Sequence, residues 1–130
     1  MSDIFISYAR QETAWAWQLV RALAELGFSV WWDRQLTVGE SWATEIEQQL
    51  NKARCVIVLW SATSVKSEWV LEEAAYARQS DKLIPVVIEN VETPLGFRSV
   101  QGVVLKDWDG QSTHPEFQRL VAAISKRLNN

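Results

Sequence analysis

Apolar runs of strand length alternate with segments of helical period along this chain of 130 residues, and that alternation predicts an α/β fold. The run from Cys55 to Trp60 is apolar throughout, as expected for a central parallel strand that helices cover on both faces. Five such runs separated by helical segments predict a three-layer sandwich, with helices on both faces of a five-stranded parallel sheet. The preferred strand order is 2-1-3-4-5, as in flavodoxin-like folds.

The first half of the chain is predicted to hold two strands and two helices. Ile4 to Ile6 is β-branched and aromatic, which is typical of a buried strand, and Phe28 to Trp32 predicts the second. Between them, apolar residues recur at helical spacing up to Gly27, which suits the left-handed end of a helix. A polar loop, Asp33 to Ser41, then leads to a helix that Ser41 is placed to cap. The apolar positions of the two helices are Trp15, Leu19, Ala22, Leu23, Leu26, Trp42, Ile46 and Leu50.

The second half is predicted to add three strands and two helices. Pro85 lies inside an apolar run, so it is expected at the start of its strand or where the ladder needs no donor. Thr113 to Glu116 resembles a capping box that opens the last helix. The predicted elements are strands at Cys55–Trp60, Leu83–Ile88 and Val103–Leu105, and helices from about Glu68 to Arg78 and from Thr113 through Phe117, Leu120, Val121, Ile124 and Leu128.

Composition and charge argue against several classes of protein. The 13 basic and 16 acidic side chains give a net charge of −3 and are mixed along the chain, which disfavours nucleic-acid binding led by phosphate contacts. Cys55 is the only cysteine, so an internal disulfide is excluded, and its apolar neighbours predict a core residue rather than a nucleophile. The longest apolar run is far shorter than the ~20 residues that cross a bilayer. We therefore expect one cytoplasmic domain, residues 1–130, with no membrane or nucleic-acid partner.

The predicted topology locates a ligand site before any motif is considered. In such sheets ligands bind beyond the carboxyl ends of the strands where the winding reverses, here between the first and third strands. The residues there are Ser7 to Arg10, Ser61 to Thr63 and the start of the next helix. No glycine-rich dinucleotide or phosphate loop follows a strand, and the third strand does not end in aspartate. The only histidine, His114, lies at a distant helix start, so histidine-based triads and metal sites are disfavoured.

What remains near this site is a carboxylate with an indole. Trp69 and Glu73 lie four residues apart on one helix and therefore share a face that can line the cleft. Spacing alone favours the alternative of a solvated Glu73 and a Trp69 that covers the core. The chain also has eight tryptophans, and some of them are expected to form exposed stacking or interface surfaces.

Several segments together resemble the boxes of the Toll/interleukin-receptor (TIR) domain family, in the family's order and over nearly the entire chain. Asp3 to Tyr8 resembles the first box, a strand that ends in Ser-Tyr. The segment around Trp69 resembles the family's Ser-x-Trp-x-x-x-Glu helix. The other matching segments are Gly27–Asp33 as the second strand, Leu36–Gly39 with Trp42 as the BB loop and its helix, Ala53–Ser61 as the third strand, and Leu83–Val86 as the fourth.

The resemblance, to bacterial-type members in particular, implies an NAD⁺ nucleosidase that uses NAD⁺ as substrate and needs no cofactor or metal. It would release nicotinamide and ADP-ribose, or a cyclic isomer of ADP-ribose, in signalling or antiviral defence. The alternative within the family is a non-catalytic domain that only binds other TIR domains. In either case homotypic self-association is implied. The match assigns catalysis to Glu73 and substrate contacts to Trp69, Ser7, Tyr8, Arg10, Asp33, Leu36, Gly39 and Trp42.

A single carboxylate suffices for this chemistry. Glycosidases need a second carboxyl group as general acid because their leaving group is an alkoxide. Nicotinamide leaves NAD⁺ as a neutral molecule, so Glu73 only has to stabilise the positive charge that develops on the ribose. Trp69 can stack on a ring of the substrate. The spacing of four from Trp69 selects Glu73 over Glu72, which is expected to point about 100° away around the helix.

Overall fold

The computed structural model describes residues 3–32 and 42–129, and within them the strands form a five-stranded sheet of order β2-β1-β3-β4-β5. Every neighbouring pair of strands is parallel. The strands are β1 (Ile4–Ser7), β2 (Val30–Trp31), β3 (Cys55–Trp60), β4 (Leu83–Val87) and β5 (Val103–Val104). The helices are α1 (Thr13–Glu25), α2 (Trp42–Lys52), α3 (Glu68–Gln79) and α4 (Pro115–Leu128). The predicted fold class and strand order are confirmed.

Two apolar layers lie on opposite faces of the sheet. One contains the buried residues of α1 and α4, and the other those of α2 and α3. Side chains along β1 alternate between them, because Ile4 and Ile6 belong to the first layer and Phe5 to the second. The same alternation turns Ser7 towards the layer of α2 and α3. This places a hydroxyl group at the carboxyl end of β1 on the face where α3 packs.

The edge strands are shorter than predicted. β2 includes only Val30 and Trp31, and β5 only Val103 and Val104, because each pairs with a single neighbour over two residues. The end of α1 follows the prediction, since Gly27 has a φ of 92°.

The predicted capping box at Thr113 is wrong. His114 is the N-cap of α4, and its Nδ1 accepts from the backbone N–H of Glu116 at 3.2 Å. The Glu116 carboxylate does not return to the cap, because it accepts from the N–H of Val104 at 3.1 Å on β5. His114 is a helix-start residue, as expected.

Pro85 is the third residue of β4, where the ladder needs no donor from it. The carbonyl oxygen of Lys82 and the N–H of Ile88 make backbone hydrogen bonds to β3, whereas the carbonyl oxygen of Val87 accepts a backbone hydrogen bond from the side of β5. Since bonding alternates along a parallel strand, the position of Pro85 faces the side of β5, and pairing there begins only at Val86. Gly102 lies against this point, and a Cβ atom on it would come within 2.0 Å of the Pro85 carbonyl oxygen. The close approach of the two backbones here thus requires a glycine before β5.

In the described ranges, no helix combines the length and the apolar character that crossing a bilayer demands.

Candidate functional site

An open cleft of about 270 Å³ lies between α2 and α3. Ile46 and Leu50 are the buried apolar residues that α2 contributes to it. The described residues that line it are Ile46, Glu47, Leu50 and Asn51 from α2, and Trp69, Glu72, Glu73 and Tyr76 from α3. The four residues from α3 are spaced i, i+3, i+4 and i+7, which is one continuous stripe on a helix. Trp69 and Glu73 therefore share a face that lines a cleft, as the spacing predicts.

Glu73 is a buried carboxylate on the wall of this cleft. Its residue is 3 % exposed, and its Oε1 accepts a hydrogen bond of 2.5 Å from the Ser7 hydroxyl. The small side chains of Ala74 and Ala77 on the same helix are fully buried against the sheet, so α3 lies close to β1. That close packing brings a carboxylate 66 positions along the chain into contact with Ser7. A buried carboxylate is costly without such a partner, so the hydroxyl group offsets part of the desolvation.

Trp69 has a place in both the core and the cleft. It lies in the first turn of α3, which Ser67 caps by accepting from the N–H of Val70 at 3.3 Å. The indole is partly buried and packs against the apolar layer of α2 and α3. Its remaining surface lines the cleft one turn before Glu73. The same side chain therefore contributes both to the core and to the wall of the cleft.

Glu72 also lines the cleft, although as the adjacent residue it lies about 100° around α3 from Glu73. The cleft runs along a stripe of α3 that is wide enough to include neighbouring positions, and Glu72 lies on its edge. The two carboxylates differ in exposure instead: Glu72 is exposed and Glu73 is buried.

At the end of the cleft near Tyr76 and Asn51, hydrogen bonds connect α2 to α3 and to Lys82, which follows α3. The Tyr76 hydroxyl donates to Asn51 Oδ1 at 2.5 Å. Lys82 Nζ donates to the carbonyl oxygens of Leu50 at 3.2 Å and Asn51 at 3.1 Å, and lies 5.5 Å from the centroid of the Tyr76 ring. These bonds hold the two helices at a fixed separation. The sequence analysis missed Tyr76 and Asn51, although continuing the helical spacing from Trp69 through Glu73 leads to Tyr76.

Other residues predicted to contact a substrate do not line this cleft. Tyr8 lies on the opposite face of the sheet, where its hydroxyl donates to the carbonyl oxygen of Trp32 at 3.1 Å. Arg10 is exposed in a short 3₁₀ helix before α1. Ser7 reaches the site only through Glu73. Trp42 is the first residue of α2; its side chain, and the predicted residues Asp33, Leu36 and Gly39, lie outside the described residues.

At the carboxyl ends of β1 and β3, where the topology predicts a ligand site, hydrogen-bond donors are bonded to the protein's own carboxylates. The Ser61 hydroxyl donates to Glu12, and the N–H of Ala62 donates to Glu89 Oε1 at 2.7 Å. These two hydrogen-bond donors therefore already have acceptors within the protein. The cleft lies on the face of the sheet covered by α2 and α3. Glu73 on its wall is bonded to Ser7 at the carboxyl end of β1.

The charge of the cleft is negative. Glu47, Glu72 and Glu73 line it, and among the described residues that line it there is no lysine, arginine or histidine. Such a surface favours a cationic group of a ligand. In the part of the chain that the structure describes, no group of three or more histidine, cysteine, aspartate or glutamate side chains is placed to hold a metal ion.

Several solved structures superpose on this chain over nearly its whole length. The TIR domain of the Toll-related receptor TRR-2 from Hydra magnipapillata superposes with a TM-score of 0.83 at 21% identity, over 96% of this chain and 99% of that one. A metazoan TIR-STING receptor from C. gigas in complex with 2′,3′-cGAMP gives 0.77 at 23% identity, covering 96% of this chain but 40% of the receptor. The TIR domains of the activated Roq1 resistosome, which directly recognises the effector XopQ, give 0.69 at 18% identity, over 95% and 99% of the two chains.

At these levels of identity the superpositions establish the fold alone. No curated protein matches the chain. The family model for the TIR domain matches residues 4–121, which include all five strands, α1 to α3 and the first half of α4. The chain belongs to the TIR-domain family.

Proposed function

We propose that this TIR domain is an NAD⁺ nucleosidase, which breaks the bond between nicotinamide and ribose. The observation that carries the proposal is Glu73, a carboxylate that is 3 % exposed and yet lines an open cleft beside Trp69. Carboxylates are almost never fully buried unless they are paired, and a buried one at the wall of a cleft is a candidate for catalysis. A pure interaction domain has no need of a carboxylate there.

The reaction requires a negative group more than a proton donor. The bond from C1′ of the ribose to the pyridinium nitrogen breaks with its electron pair going to nitrogen, so nicotinamide leaves neutral. The positive charge moves to the ribose, where the Glu73 carboxylate stabilises it electrostatically. Water then adds to C1′ and loses a proton to solvent, giving ADP-ribose. Addition of an adenine nitrogen instead gives a cyclic isomer.

The size and charge of the cleft fit one end of the substrate. Its volume of about 270 Å³ lies just below the ~300–1,000 Å³ of pockets that hold drug-sized ligands, so it accommodates the nicotinamide–ribose end rather than the whole dinucleotide. Three carboxylates suit the cationic pyridinium, and Trp69 offers a ring face for stacking. We propose that the ADP end extends towards the segment after β2, where Asp33, Leu36, Gly39 and Trp42 remain the proposed contacts.

A second function, non-catalytic binding of other TIR domains, is favoured by a separate surface. Trp17 is 49% exposed on α1 and stacks on Trp32, with ring centroids 5.5 Å apart and planes inclined by 29°. Exposed aromatic pairs of this kind are typical of protein interfaces. Interaction alone would leave NAD⁺ unchanged, so turnover separates the two functions. We also propose that residues 1–130 form one domain that acts in the cytoplasm and self-associates with other TIR domains in signalling or defence.

Incubation of the purified protein with NAD⁺ tests the proposal, with nicotinamide and the ADP-ribose products separated by chromatography. We expect nicotinamide and one ribosyl product to appear in equal amounts, and Glu73→Gln to abolish both. A folded wild-type protein that leaves NAD⁺ intact over a wide range of protein concentrations would contradict the proposal and leave the interaction function.

A further inference from the structure

Ser7 holds the Glu73 side chain from outside α3 through a hydrogen bond. Its Oγ lies 2.5 Å from Glu73 Oε1, a short separation for a hydroxyl donor and a carboxylate acceptor. Ser7 is also the last residue of β1, and its backbone is paired with Val58 in the centre of the sheet. The donor is therefore carried by a central strand of the sheet.

Burial prevents Ser7 from contacting a substrate directly. The residue is 0 % exposed and is not among those that line the cleft. A substrate contact was expected for it from the sequence, but a side chain without accessible surface can act on a ligand only through a neighbour. Glu73 is the neighbour that reaches the cleft.

We infer that Ser7 is a positioning residue for Glu73: the Ser7 hydroxyl group orients the carboxylate at the wall of the cleft and favours its ionised form. This inference rests on the proposed function. A carboxylate that rotates away from the ribose, or that is protonated, does not stabilise a developing positive charge. The hydrogen bond from Ser7 opposes both changes.

The surroundings of Glu73 make such a donor necessary. The titratable side chains that face the same cleft are Glu47 from α2, and Glu72 and Tyr76 from α3. Nearby negative charges and burial both disfavour the charged form of a carboxylate, whereas a hydrogen bond to the charged form favours it. Among the described residues that line the cleft, none is basic. The Ser7 hydroxyl group provides one such hydrogen bond from the sheet.

The test compares Ser7→Ala with Ser7→Thr, which keeps the hydroxyl group on a β-branched residue suited to a strand. Loss of a hydrogen bond to a charged group predicts a kcat for NAD⁺ cleavage about 10- to 100-fold lower in Ser7→Ala, with little change in KM. The acid limb of the kcat–pH profile should move to higher pH, and Ser7→Thr should restore most of the rate. Ser64→Ala is the matched control, because Ser64 is equally buried and donates to a backbone carbonyl oxygen at 2.7 Å. It should lower the melting temperature without moving the pH profile.

A second measurement does not depend on turnover. Carbon-13 NMR of the Glu73 carboxyl carbon gives its titration midpoint in wild type and Ser7→Ala, and the midpoint should rise in the variant. If Ser7→Ala does not fold, Ser7→Cys, a weaker donor of similar shape, replaces it in both experiments. An unchanged midpoint together with wild-type kcat would overturn the positioning role. A wild type that never cleaves NAD⁺ but shows the shifted midpoint would instead contradict the proposed function and leave the Ser7–Glu73 link intact.

Discussion

Replacing Trp69 with alanine removes a side chain that lies partly in the core and partly in the cleft. Its effects on stability and on activity can be measured separately. The indole is partly buried against the layer of α2 and α3 and also lines the cleft. Truncating a fully buried tryptophan costs about 3–5 kcal/mol, so we expect about 1–3 kcal/mol for one that is partly exposed. Loss of stacking on a cationic ring costs about 0.5–2 kcal/mol, which lowers kcat/KM for NAD⁺ by about 2- to 30-fold.

The assay measures kcat/KM and the melting temperature of Trp69→Ala beside Trp69→Phe. Phenylalanine keeps an aromatic face and most of the apolar packing, so it should recover most of the stability and part of the activity. Trp69→Ala that folds and cleaves NAD⁺ as fast as wild type would remove Trp69 from the substrate site. If Trp69→Ala unfolds while Trp69→Phe is fully active, the residue serves the core alone, and the argument for stacking fails.

Two further predictions concern the thiol and the assembly. Burial raises the pKa of the Cys55 thiol to about 12, so almost no thiolate exists at pH 8 and iodoacetamide should modify Cys55 only when the protein unfolds. Rapid, stoichiometric alkylation of the folded protein would show that Cys55 is accessible and contradict its place in the core. If copies share a site through the loop that contains Leu36 and Gly39, specific activity should rise with protein concentration, and Gly39→Pro should suppress this rise while leaving Glu73 unchanged. Constant specific activity over a hundred-fold dilution, with sedimentation showing monomers throughout, would mean that each copy works alone.

The architecture could be predicted from the sequence because its signals are local. The apolar run Cys55–Trp60 is a fully buried central strand, and the helical spacing of apolar residues defines the buried faces of α1 and α4. Ends of elements were less predictable where distant residues decide them. Glu116 fits the spacing of a capping box, but β5 comes close enough for the Val104 N–H to bind its carboxylate.

The candidate site was only partly predictable for the same reason. Trp69 and Glu73 share a helix, so their common face follows from their spacing alone. The Ser7 hydroxyl and the Asn51 amide enter the site through the packing of α3 on β1 and on α2, which no local pattern records. Likewise, the topological rule predicts a ligand site at the carboxyl ends of β1 and β3, but the hydrogen-bond donors there are already bonded to Glu12 and Glu89.

The exchange of Glu73 for glutamine, compared with the same exchange at Glu72, tests the catalytic role most directly. Both carboxylates line the same cleft on adjacent positions of α3, so each variant removes one charge from the same helix, in one case a buried charge and in the other an exposed one. Loss of a preorganised electrostatic contact in the transition state predicts a kcat for nicotinamide release at least about 100- to 1,000-fold lower in Glu73→Gln. Exposed Glu72 should change kcat by no more than about threefold, the scale of a surface charge. A folded Glu73→Gln protein that releases nicotinamide at the wild-type rate, or a Glu72→Gln protein that loses as much activity as Glu73→Gln, would contradict the assignment of catalysis to the buried carboxylate.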